Sequence, residues 1–256
     1  MADSSRQLKS ITGRVALTVR GQRLDVEVRI PDGKLPVAQM LPVFRSVAEN
    51  FVDMGVAEEK KAGRTVSCQK GCGACCRQLV PISAIEAREV AKVVERMPPE
   101  RKEIILRRFA EAREKLADAE MLDPLLHPDH YGDDQMRALG REYFNLGIPC
   151  PFLEDESCSI YLDRPITCRE YLVTSPAANC AAPTPETVKV VPLVAGPVWA
   201  AVARLEPEKG NRFIKWVPLI LALEFAASAE VEPAARTGKE WTEEFFRRIT
   251  RDGKPQ

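Results

Sequence analysis

Cys68-Gln69-Lys70-Gly71-Cys72-Gly73-Ala74-Cys75-Cys76 sets four thiols in one short stretch, separated by small or polar side chains. A second set follows downstream: Cys150, Cys158, Cys168 and Cys180, in the tract CPFLEDESCSIYLDRPITCREYLVTSPAANC. Together these are all 8 cysteines of the chain. Thiols this dense in a chain of intracellular character are more often held apart by metal than joined as disulfides.

The bulk of the sequence fits a soluble globular protein. With 256 residues, 45% hydrophobic and 29% charged, the chain is long enough for one large domain or two small ones. Lys+Arg and Asp+Glu are 37 each, so no overall field recruits nucleic acid or an anionic membrane. The start, MADSSRQLKS, has no apolar core of a secretory signal. The most apolar stretch, Phe213 to Ala226, is broken by Lys215, Pro218 and Glu224. It falls short of the ~20 apolar residues of a membrane span. The expectation is a cytoplasmic protein, where reduced thiols disfavour a framework of disulfides.

Around the cysteines the pattern is mostly helical. Val15, Leu17 and Val19, then Leu24, Val26, Val28 and Ile30, alternate about Arg20-Gly21-Gln22, which predicts a β-hairpin closed by the turn Pro31-Asp32-Gly33. Met40, Phe44, Val47 and Phe51 lie on one helical face leading to the first thiols. Ser83 and Glu86 fit a capping box opening a helix with Ala87, Val90, Ala91 and Val94 on one side. Pro98-Pro99 ends it and primes a second helix bearing Ile105, Phe109, Ala112 and Leu116, so the two read as a packing hairpin. Residues 123–132 read as a loop, 134–146 as a short helix, and Val188 to Val194 as a strand. Pro197, Pro207 and Gly210 punctuate the segments before a last helix that aligns Trp241, Phe245 and Ile249. The expected class is α+β, mostly helical, with cysteine-rich loops gathered around a metal site. Its expected parts are a hairpin region over 1–35, a metal-binding core over 36–195 and a helical segment over 196–256, all of which could form one domain.

The spacing bears on which metal. Thiolates are soft ligands suited to zinc and iron–sulfur clusters. Structural zinc commonly uses two short C-x₂-C loops, and only Cys72-x₂-Cys75 makes one. Wide, irregular intervals in the second set suit thiols converging from several loops, as around an iron–sulfur or polynuclear site. The neighbours Cys75 and Cys76 point to two metals, or to one thiol left free for exchange. His127 and His130 form an H-x-x-H pair without the helical spacing and nearby Glu of the metalloprotease pattern, and are set aside as ligands. Cys68-x₃-Cys72-x₂-Cys75 repeats the spacing of radical S-adenosylmethionine enzymes. Ala74 and the following helical pair depart from that superfamily.

GCGACC, together with C-SIY-x₂-RP-x₂-CR-x-Y, resembles the YkgJ-like cysteine-cluster family, the CxxCxxCC zinc- or iron-chelating domains. The resemblance runs from Cys68 to Cys180 and takes in Ser159, Ile160, Tyr161, Arg164, Pro165, Arg169 and Tyr171. One departure is that three residues, not two, separate Cys68 from Cys72. The resemblance implies that Cys68, Cys72, Cys75, Cys76, Cys150, Cys158, Cys168 and Cys180 are metal ligands. Arg164 and Arg169 would then offset thiolate charge and donate hydrogen bonds to sulfur, unless they form ordinary surface ion pairs. The family is similar, across this region, to flagellin lysine N-methylases, and its members often carry the label of iron–sulfur oxidoreductases.

Three functions compete: a metal- or cluster-binding protein, an iron–sulfur enzyme of oxidoreductase or methyltransferase type, and a zinc-stabilised interaction module. No nucleotide-binding or hydrolase motif supports catalysis. Spacing and softness favour an iron–sulfur cluster over Zn²⁺.

Overall fold

A computed structural model describes residues 9–19, 22–206, 216–228 and 232–251. The chain's start, the turn at Arg20-Gly21, the side chains of Leu17, Val19 and Leu24, and Pro207, Gly210 and residues 213–215 lie outside that description.

Strands β1 (Ser10–Val19) and β2 (Gln22–Pro31) pair antiparallel, with Val15 opposite Val26. Val26, Val28 and Ile30 turn inward as the period-two pattern requires. Strand β3 (Lys34–Leu35) leads to α1 (Leu41–Lys61), which has a proline in its first turn and buries Phe44, Val47 and Phe51. After the cysteine turn come β4 (Pro81–Ile82), α2 (Ala84–Glu95), α3 (Pro99–Asp118) and α4 (Leu122–Leu126). Next are α5 (Asp133–Asn145), the small hairpin β5 (Leu153–Glu154) and β6 (Ser157–Cys158), and α6 (Ile166–Glu170). The chain continues through α7 (Val198–Ala203), β7 (Val217–Pro218), α8 (Ala222–Ala227), β8 (Arg236–Thr237) and α9 (Gly238–Arg251). The fold is α+β and mostly helical, with β3 pairing β8 and β4 pairing β7 across long sequence separations.

Two sequence expectations change. The 123–132 loop instead holds α4 and a 3₁₀ turn at Pro128–His130. Proline is tolerated in a helix's first turn, and Leu125 anchors α4 by burial. The strand expected over Val188 to Val194 shrinks to one bridge, Val173 to Val190. Pro192 has no N–H with which to extend that ladder.

Three apolar clusters hold these elements. In the first, the hairpin, α1, α7 and α9 meet: Phe44 stacks on Phe245 at 4.4 Å, and buried Trp241 donates its Nε1–H to the Leu35 carbonyl at 3.0 Å. A Thr237–Glu240 capping box starts α9, with Glu240 N donating to Thr237 Oγ1 at 3.2 Å and Thr237 N to Glu240 Oε2 at 2.8 Å. The second joins α2, α3 and β7 to Phe152 and Ile160, with Cys150 and Cys158 packed against it. The third gathers Leu116, Leu125, Tyr143 and Ile220. Cys150 and Cys158 therefore sit on a hydrophobic floor.

Candidate metal centre

The first thiol group folds as a 3₁₀ turn, Ala74–Arg77, preceded by Gly71 in the left-handed region at φ 87°. Gly73 is needed for a different reason: close packing. A Cβ there would lie 2.7 Å from Leu153 Cδ1, 2.6 Å from Glu156 Oε2 and 3.1 Å from Glu156 Cα. The β5–β6 hairpin, whose two turn residues Asp155 and Glu156 both have positive φ, thus presses directly on the cysteine turn. Arg77 clamps the contact by pairing both guanidinium nitrogens with Glu156, at 3.0 and 2.6 Å. Gly73→Val should push the hairpin away and cost about 2 kcal/mol by overpacking. Urea unfolding of both proteins under one metal condition checks this.

The two thiol groups meet in space. Cys150 N donates to the Cys76 carbonyl at 2.7 Å, which joins the end of the first turn to the start of the second tract. Ser67 N donates to the Val173 carbonyl at 2.9 Å, and Val173 N points to Cys68 Sγ at 3.4 Å. Cys68 is thereby laid beside the segment between Cys168 and Cys180. Cys180 lies on the 3₁₀ turn Ala177–Ala181, which packs on the turn bearing Cys75 and Cys76.

Helix α6 carries Cys168 and is fastened at four neighbouring residues. Ile166 N donates to Glu86 Oε1 at 2.7 Å. Thr167 Oγ1 donates to the Pro81 carbonyl. Arg169 pairs with Glu49 of α1 and donates to the carbonyls of Leu162 and, at 3.0 Å, Arg164. Glu170 accepts from Val198 N at 2.6 Å and Trp199 N at 3.3 Å, capping α7. Desolvation lifts the Glu170 carboxyl to about 7. Of these fastenings only the Ser83–Glu86 box is signalled locally. Glu49, Thr167 and Glu170 act across long separations and leave no pattern in the sequence.

The thiols act on each other electrostatically. Cys68 feels Cys72 and Cys75, and Cys180 feels these and Cys68. Cys76 feels Cys75, Cys150 and Cys168. Cys150 feels Cys158, Cys168 feels Cys150 and Cys158, and Cys75 reaches all three of Cys150, Cys158 and Cys168. A hydrogen bond from Cys76 draws the Cys75 thiol down, and Cys76 is pushed up in turn. Burial raises Cys68, Cys158, Cys168 and Cys180, and lifts Cys150 to about 12. So many crowded, desolvated thiols cannot all ionise without a cation among them. No thiol is in a disulfide. The sulfurs are neighbours but do not form a closed cage: among the described residues, no three His, Cys, Asp or Glu side chains stand in metal-holding geometry.

Arg169 is buried, and Arg164 stacks over Tyr161 with its Cζ 4.0 Å from the ring centroid. The positive charge of Arg164 favours ionised Cys75 and Cys158, and that of Arg169 favours Cys158. Arg164 Nε and Ser159 Oγ, on the loop between Cys158 and Cys168, are buried without a hydrogen-bond partner among the described residues. Unsatisfied donors beside thiols fit a site whose acceptors are metal-bound sulfurs. His127 and His130 instead stack on each other at 5.4 Å, with His127 Nε2 4.0 Å from Asp123.

Soft donors gathered in this way define a metal-chelating class of domain. Residues 67–187, a little under half the chain, match the CxxCxxCC family, described as "Putative zinc- or iron-chelating domain". No curated protein and no solved structure matches the chain. Among the described residues, no helix is long and apolar enough to cross a membrane.

Proposed function

We propose that the chain binds metal through all eight thiols as two adjoining sets of four. One set is Cys68, Cys72, Cys75 and Cys180; the other is Cys76, Cys150, Cys158 and Cys168. The observation that carries this reading is the convergence of distant segments on the Ala74–Arg77 turn, through the Cys150–Cys76 backbone bond and the packing of the Cys180 turn. Iron held as iron–sulfur clusters is the favoured loading, because the ligands come from several loops at wide intervals and only one C-x₂-C knuckle is present. The bound metal would supply the positive charge that lets buried thiols ionise. Arg164 and Arg169 offset the remaining negative charge, and Arg164 Nε and Ser159 Oγ have donors free for sulfur.

Metal and acid-labile sulfide analysis of anaerobically purified protein tests this. Coloured protein with iron and matching sulfide is expected, whereas colourless protein that keeps zinc through dialysis overturns the iron assignment. Cys72→Ala and Cys150→Ala should each lose about half of the metal. Complete loss from either variant contradicts two sets.

Thiols must shed protons to bind, so metal affinity should rise with pH. Each displaced proton adds about tenfold in affinity per pH unit where the free thiol is still protonated. Competition against a chelator of known pH dependence, at pH 6.5 and 7.5, measures the slope. A flat profile would mean that thiols are not the ligands.

A further inference from the structure

Between α5 and the segments that leave the two cysteine turns lies a cavity of about 690 Å³. Gln78, Leu79 and Pro81, shortly after Cys76, form part of its wall, as do residues 181–184, which follow Cys180. The indoles of Trp199 and Trp216 and the ring of Phe144 supply broad apolar surface. The volume lies within the ~300–1,000 Å³ typical of small-molecule sites. None of the eight thiols lines it.

The charge of the lining is one-sided. Among the described residues no Asp or Glu contributes, whereas Arg137 and Arg141 both do. Arg137 pairs with Asp134 at 3.1 Å, and Arg141 makes no ion pair among the described residues. The lining also holds Gln78, whose amide is directed at the Tyr171 hydroxyl. Aromatic walls and the positive charge of Arg141 fit one chemistry: a planar hydrophobic body carrying a carboxylate.

We infer that this cavity binds a small aromatic carboxylate, its ring against the indoles and its carboxylate toward Arg141. The inference goes beyond metal chelation and does not depend on which metal the thiols hold. Trp199 lends the site rigidity, because its backbone N–H is held by Glu170 of the thiol-bearing α6.

Gly140 of α5 provides the test. It lines the cavity, and a Cβ added there meets nothing within 4 Å, so a larger side chain would extend into the open space. Leucine also favours a helix interior over glycine. Gly140→Leu should therefore keep the fold and fill the site. The probe is 1-naphthoate, titrated into the metal-loaded full-length protein by calorimetry and by quenching of tryptophan fluorescence. Wild type should bind it saturably, and the cation 1-naphthylmethylamine at least tenfold more weakly. Gly140→Leu should weaken 1-naphthoate at least tenfold while its far-ultraviolet circular dichroism and metal content match wild type. Arg141→Ala should weaken 1-naphthoate but not the neutral 1-naphthalenemethanol. Three results would each overturn the inference: no saturable binding to millimolar concentration, equal affinity for the amine, or full-strength binding to Gly140→Leu. Metal content, read on the same samples, shows separately whether the thiol reading stands.

Discussion

Removing metal with a chelator, anaerobically and with thiols kept reduced, should destabilise this protein by a large part of its total stability. A ligand that binds only the folded state contributes about 4 kcal/mol when present at a thousand times its dissociation constant. Small domains have only about 5–15 kcal/mol in all. The loss should be uneven. The tract from Cys150 to Cys180 has two-residue strands and a five-residue helix, and its links to the first group are two backbone bonds, a few side chains and the proposed metal. In contrast, α1 and α9 bury Phe44, Phe51, Trp241 and Phe245 against each other and the hairpin, with no thiol in that cluster. Amide hydrogen exchange should therefore accelerate first over residues 150–187, while most of the helical circular dichroism persists. Uniform acceleration, or none, would mean that metal does not tie these segments together.

Glu86→Ala should be the most damaging single substitution near the site. The carboxylate is 1% exposed and accepts three hydrogen bonds, from Ser83 N at 3.2 Å, Ser83 Oγ at 2.9 Å and Ile166 N at 2.7 Å. Truncation leaves all three buried donors without that acceptor. The Ser83 Oγ cap on Glu86 N survives, but the start of α6 is freed, two residues before Cys168. An unsatisfied buried donor costs about 1–3 kcal/mol, so a total near 4 kcal/mol is expected. Glu86→Gln keeps an acceptor oxygen and should lose less. Chemical denaturation of the three proteins, with metal content recorded for each, checks the ranking. If Glu86→Ala unfolds as wild type does, α6 is held by its other fastenings alone.

How far these features could be read from sequence follows from how local their causes are. The helix faces of Met40–Phe51, Ile105–Leu116 and Trp241–Ile249 were legible because one period of apolar residues dictates one buried side. The Ser83–Glu86 box was legible because both partners lie within one turn. Its second role, holding Ile166 across 80 positions, was not, because a carboxylate's other oxygen leaves no trace in the pattern. The same holds for Glu49 with Arg169 and for Glu170 with α7. The need for a bare Cα at Gly73 was not legible, because its neighbour is the β5–β6 hairpin, which only the fold brings near. The strand expected over Val188 to Val194 failed because β-branched residues signal extended backbone, and nothing in them announces that only residues 172–174 would be available to pair. The cysteines announced themselves by density. The proposed division of the ligands about Cys75 rests on the Ala74–Arg77 turn lying against both downstream segments, which only the fold brings together.

X-ray absorption at the metal edge of the anaerobically purified protein probes thiolate ligation most directly. The account predicts an innermost shell of sulfur alone, at about 2.3 Å. A shell dominated by nitrogen or oxygen at about 2.0–2.2 Å would contradict it, whatever the metal proves to be.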